Sequence, residues 1–121
     1  MYETRKYRQA ATLIRAIDAD TIVVRALNAV NPLRQWSECV VRLAGVNCPE
    51  LRAVGGPEAV AWVRAWLPPG EDALLLGHDA RRDPFGRLVG RIARGTEDLS
   101  DTLIATEHGV PYLTTRLLGP G

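Results

Sequence analysis

Apolar residues in this chain gather in short runs rich in valine, isoleucine and threonine, and acidic or proline-bearing turns interrupt them. β-branched runs bounded by turn residues predict strands. Residues 11–17 and 21–27 are two such runs, separated by Asp18-Ala19-Asp20, and they predict an antiparallel hairpin. Asn31-Pro32 marks the next turn. Residues 36–43 then predict a third strand, antiparallel to the second. Residues 73–77 and 88–93 predict a fourth and a fifth, joined by a turn over 79–86.

Two segments change period. Gly55-Gly56-Pro57-Glu58 opens a helix, with Pro57 at the first helical position and Glu58 near the positive end of the dipole. Pro68-Pro69-Gly70 stops it after Leu67. Val60, Trp62, Val63, Trp66 and Leu67 cover more than one of its faces, which predicts core packing on one side and leaves a protein partner surface at Trp62 and Trp66 on the other. Asp98-Leu99-Ser100-Asp101 has the form of an N-cap with an acid three residues on. The second helix follows through Leu99, Leu103 and Ile104, with Gly109 as its stop. Five short strands, with one helix after the third and another after the fifth, predict a mainly β fold: a five-stranded OB-type barrel with two helices. The expected layout is an arm over 1–8, one domain over 9–113 and a tail over 114–121.

Composition narrows the function. At 121 residues with 46% hydrophobic and 24% charged residues, the chain is an ordinary globular domain. A net charge of +1 provides no global pull on a polyanion, so phosphate binding must come from local clusters. All but one of the fifteen basic residues are arginine, the residue that grips phosphate with two donors at once. Cys39 and Cys48 stand in neither CxxC nor Cys/His spacing. That argues against structural zinc and for two free thiols in a reducing compartment. Met1 to Gln9 is charged with no apolar run behind it, and no run reaches the length of a membrane span. No membrane association is expected, and the expected location is the cytoplasm or a phage-like particle packaged from it.

The candidate chemistry sits on turns beside apolar runs. Asp18 and Asp20 are turn formers that also offer hard oxygen ligands, suited to calcium or magnesium. Arg42, flanked by Val41 and Leu43, points to the opposite face from its neighbours, either onto the surface or into a mouth. Glu50 follows Pro49 in a loop. Arg87 follows Gly86 at the end of Asp83-Pro84-Phe85-Gly86.

Taken together these clusters are similar to the staphylococcal-nuclease-like (thermonuclease) family. Ala11 through Thr21 resembles its first hairpin. Val41-Arg42-Leu43 through Cys48-Pro49-Glu50 resembles its arginine strand and Pro-Glu loop. Gly56-Pro57-Glu58-Ala59 resembles the start of its first helix, and Asp83 through Arg87 its second arginine turn. Order and spacing hold from Ala11 to Tyr112. The resemblance implies a Ca2+-dependent endonuclease hydrolysing phosphodiester bonds in DNA or RNA, with single-stranded nucleic acid as partner. Asp20, Asn47 and the main-chain carbonyl of Cys48 would hold the metal. Glu50 would be the general base. Arg42 and Arg87 would bind the phosphate and its transition state, and Phe85 and Tyr112 would lie against the nucleotide. Asn47 departs from the family, standing where an aspartate ligand is usual, so one negative charge is lost and weaker calcium binding is expected. The alternative is a catalytically weakened nuclease-like module for binding or assembly, for example a component of a phage or prophage particle.

Overall fold

The computed structural model describes residues 7–27, 36–82 and 87–112. Strands β1 (Tyr7–Asp18), β2 (Thr21–Leu27), β3 (Trp36–Leu43), β5 (Asp72–Arg82) and β6 (Leu88–Arg94) form one sheet in the order β3-β2-β1-β5-β6. A parallel pairing of β3 with β6 at Val41↔Leu88, Arg42↔Val89 and Leu43↔Gly90 closes that sheet into a five-stranded barrel. The OB-type barrel with two helices is therefore the architecture of the chain. Closure leaves these strands without a long open edge. Short pairs flank the barrel: β7 (Glu97–Asp98) extends β6, and β4 (Val46–Asn47) pairs with β8 (Val110–Pro111).

The core is built from alternate strand residues, among them Leu13, Val24, Val41, Leu43, Leu75 and Ile92, all buried. Helix α1 (Gly56–Trp66) lays Ala59 and Val63, one turn apart, against this core, and Leu67 continues the stripe at its C-cap. Trp62 and Trp66 stack on one another at 6.5 Å and pack half-buried on the same core. Trp66 also donates its indole N–H to Glu97 (2.7 Å), and Trp62 lies against His108. Much of the surface expected for a partner is thus in use within the domain. Helix α2 (Leu99–Ala105) begins as anticipated, with the Asp98 side chain accepting from the N–H of Asp101 (3.1 Å).

Several boundaries differ from expectation. Tyr7 and Arg8, assigned above to the arm, belong to β1, because Tyr7↔Gly77 and Arg8↔Leu76 pair it with β5. β5 runs on to Arg82, past the expected end at Gly77. Helix α2 stops at Ala105, where Thr106 caps it and Glu107 takes a positive φ of 64°. Gly109 is therefore not the stop. The expected Asn31-Pro32 turn, the rest of the arm and the 114–121 tail lie outside the described residues. Among the described residues no helix is long and apolar enough to cross a membrane.

Candidate active site

The hairpin turn between β1 and β2 sets Asp20 against the turn that follows β3. Asp20 is 6% exposed, and a buried carboxylate is costly unless it is paired. This one is paired on both oxygens. Its Oδ2 accepts from the main-chain N–H of Cys48 (2.8 Å) and lies 3.7 Å from Nη2 of Arg42. Its Oδ1 accepts from the Thr21 hydroxyl (3.2 Å), whose oxygen in turn accepts from Nη1 of Arg87 (3.4 Å). Both candidate phosphate-binding arginines therefore reach one carboxylate, Arg42 directly and Arg87 through Thr21.

Arg42 points inward and is 7% exposed, so the surface alternative is excluded. Its Nη1 donates to the carbonyls of Leu43 (2.8 Å) and Val46 (2.9 Å), and its Nη2 to Oδ1 of Asn47 (3.3 Å). The guanidinium thus ties together both sides of the Ala44-Gly45 turn. Its Cζ lies 5.3 Å from the centroid of the Tyr112 ring, within cation–π range. The N–H of Tyr112 donates to the carbonyl of Gly45 (3.0 Å), which anchors the segment after β8 to the same turn.

Asn47 is exposed on β4, and Cys48 is buried beside it. Burial, then the neighbouring Asp20 charge, pushes the Cys48 thiol from an ordinary 9.0 up to about 12, against an opposing pull from Arg42. An unfolded chain would ionise this thiol near 9.0 and the folded one only near 12. The group therefore leaves stability unchanged below that window and draws it down as pH rises through it. At pH 8, Ellman's reagent is expected to label the half-buried Cys39 first, with Cys48 reacting only as fast as the protein opens. Equal labelling rates for the two thiols would contradict this placement.

Glu50 is not among the bonded residues. It is exposed on the adjoining loop, where with Ile17, Asp18, Leu51 and Arg52 it lines a groove of about 490 Å³. Asp18 fixes that loop, its Oδ1 accepting from the N–H of Leu51 (2.7 Å). The structure thus brings together Asp20, Arg42, Asn47, Cys48, Arg87 and Tyr112, with Glu50 on the neighbouring loop. Phe85 lies outside the described residues.

Three residues contribute in ways that the sequence reading does not give them. Thr21 links Arg87 to Asp20, and its place beside an acid at the start of a strand is the only sign of it. Asp18 is legible as a turn former but not as the anchor of a loop 33 residues later. Gly109 matters for space: a methyl there would lie 2.6 Å from Cγ2 of Val46 and 2.8 Å from the Cys48 sulfur. Only a glycine lets the segment before β8 approach Val46 and Cys48 so closely.

The donors suit calcium in kind. Asp20 offers a carboxylate, Asn47 an amide oxygen and Cys48 a main-chain carbonyl, all hard oxygens. The Asp20 and Asn47 oxygens also converge, since each lies within 3.7 Å of the same Arg42 nitrogen. One carboxylate is a low charge count for a calcium site, and among the described residues no group of three or more His, Cys, Asp or Glu gathers. The residues fit a weakly held ion. Compared with known proteins, the chain matches no family model and no curated protein sequence.

Proposed function

We propose that this chain is a Ca2+-dependent phosphodiesterase that cuts single-stranded DNA or RNA internally. One observation carries the reading: residues from three separate stretches, Asp20 with Thr21, Arg42 with Asn47, and Arg87, are joined by contacts of 3.2–3.7 Å around one carboxylate. A barrel does not require two arginines and an amide to meet there, whereas phosphodiester hydrolysis requires cations facing the non-bridging oxygens.

In this reading Asp20, Asn47 and the carbonyl of Cys48 hold the ion, which when bound supplies Lewis-acid polarisation of the phosphate. Arg87 approaches the phosphate from the Thr21 side and Arg42 from the β3–β4 turn, each offering paired N–H donors to its oxygens. Tyr112 borders the nucleotide. Glu50, set in an open groove, takes the proton of the attacking water.

The test is cleavage of single-stranded DNA and RNA at millimolar calcium, repeated with a chelator and with Arg87→Ala. Chelation is expected to abolish cleavage, and Arg87→Ala to lower kcat by about 10²-fold or more, the usual cost of one transition-state donor. Cleavage that survives chelation, or is unchanged in Arg87→Ala, rejects the proposal.

One observation favours the second reading, a binding or assembly module in a phage-like particle. The Arg42 guanidinium is already met by Leu43, Val46, Asn47 and Asp20, as a structural strut would be. In that case no cleavage occurs at any calcium level, and the outer edges of Trp62 and Trp66 are the surface on which to seek a protein partner.

A further inference from the structure

A second set of polar side chains lies on the outer wall of the barrel. Thr12 of β1 is in register with Arg25 of β2 on one side and Asp72 of β5 on the other. Arg25 in turn faces Glu38 of β3, and Trp36, two residues before Glu38, shares its face of the strand. Arg25, Asp72, Glu38 and Trp36 are all exposed, Trp36 to 44%. Thr12, Arg25, Trp36, Asp72 and Gly70 together line a cavity of about 340 Å³. That volume falls within the ~300–1,000 Å³ range of small-ligand sites. Arg25 lies four residues along β2 from Thr21, roughly 13 Å, so this cavity is separate from the cluster at Asp20.

Among the described residues its charged groups are not spent in ion pairs. The ion pairs among the described residues are Arg42–Asp20, Arg91–Asp98, Arg91–Asp101 and Arg94–Glu71, and none uses Arg25 or Asp72. Two carboxylates against one guanidinium disfavour a phosphate here. A neutral ring with acceptors on one edge and donors on another fits the wall better. Asp72 and Arg25 start two strand spacings apart, roughly 10 Å, which suits a purine held edgewise between them.

We infer that this wall binds a guanine base. Arg25 donates its fork to O6 and N7, the pairing that arginine makes with guanine. Asp72, an acceptor only, takes the N1–H and amino hydrogens of the adjoining Watson–Crick edge. Trp36 supplies an aromatic face for stacking. Adenine places a donor where Arg25 needs an acceptor and lacks the N1–H, and pyrimidines lack the N7 edge. The base can belong to a free nucleotide or to a nucleic acid strand, since the contacts named are all to the base. The inference stands apart from phosphodiesterase activity.

The test is an NMR titration of the full-length protein with GMP, AMP, CMP and UMP, following the Trp36 indole N–H, identified by its loss in Trp36→Phe. GMP is expected to shift that signal and the amides of Thr12 and Asp72 with saturation, and to bind about tenfold or more tightly than the other three. Arg25→Gln and Asp72→Asn, each with an otherwise native spectrum, are expected to weaken GMP binding about tenfold and erase the preference. A tetranucleotide with a single guanine separates the two sources: tighter binding than GMP assigns the site to a strand, and equal binding assigns it to a free nucleotide. No shift at saturating GMP overturns the inference. So do equal shifts with all four nucleotides, or unchanged selectivity in both variants.

Discussion

Replacing Arg42 with alanine is expected to cost about 3–5 kcal/mol of stability, the range for stripping one partner from a buried ion pair. For a domain of this size the melting temperature would fall by roughly 10–25 °C. The reason is local. Asp20 and Arg42 are both buried, and the guanidinium also satisfies the carbonyls of Leu43 and Val46. Arg42→Ala leaves one charge and two carbonyls without that partner. Arg42→Lys keeps a charge but loses the fork, so it is expected to recover only part of the loss. Asp20→Asn in the Arg42→Ala background removes the stranded charge, and the double variant is expected to be less destabilised than the sum of the two singles. Urea denaturation of the wild type, the three single variants and the double variant measures this directly. If Arg42→Ala costs less than about 1 kcal/mol, in the range of solvated surface pairs, the guanidinium is not a strut.

This bonding also bears on the proposed catalysis. A guanidinium has five N–H donors. Leu43 and Val46 engage Nη1, and Asn47 and Asp20 face Nη2. A phosphate approaching Arg42 must therefore use Nε or take the place of Asn47 and Asp20 at Nη2. Nη1 holds the two shortest contacts, 2.8 Å and 2.9 Å, besides one of 3.5 Å to the Asp20 carbonyl, whereas Nη2 has only those of 3.3 Å and 3.7 Å and yields more readily. Asp20 and Asn47, the residues that would hold an ion, are the same groups that occupy this nitrogen. On this account the site's resting contacts and its proposed working contacts compete for one side of one arginine.

The barrel is legible in the sequence because its strands carry strong local signals. The β-branched run after Asp20 and the alternation around Arg42 fix strands whose partners follow from short turns. The same holds at the start of α2, where Asp98 and Asp101 sit at the spacing of a cap. What escapes has no local signal. Tyr7 and Arg8 join β1 only because β5 lies beside them, and Val46-Asn47 is a strand only because Val110-Pro111 pairs with it. The end of α2 is set by Thr106 and Glu107, well before the glycine that a rule about stops selects. The burial of Arg42 is of the same kind. Strand alternation puts its side chain opposite Val41 and Leu43, but only barrel closure and the acceptors of the next turn show which environment that face meets.

Glu50→Gln is expected to lower kcat by about 10²–10⁴-fold, the range for removing a general base, with little change in stability because the side chain is exposed and joins no ion pair seen among the described residues. A retained rate in that variant would show that another group takes the proton. Gly56→Ala tests whether the position of the carboxylate matters, since it leaves Glu50 chemically intact. The loop from Glu50 closes on itself through the N–H of Ala53 to the carbonyl of Glu50 (2.9 Å), and Gly56 donates to the carbonyl of Ala53 (2.9 Å). A methyl at Gly56 would overlap the Glu50 carbonyl and sit 2.6 Å from that of Leu51. These are main-chain atoms, so the loop must move as a unit away from α1, while the Asp18 bond to Leu51 resists on the other side. Overpacking of this kind costs about 1–3 kcal/mol, more than the ~1 kcal/mol that alanine gains over glycine within a helix. A displacement of about 1 Å at a reacting group can cost about 10²-fold in rate. Gly56→Ala is therefore expected to be less stable and to lose about 10²-fold in kcat. Paired kinetics and urea melts decide the matter: a stable, fully active Gly56→Ala would mean that the loop is slack and that its carboxylate is not positioned for proton transfer.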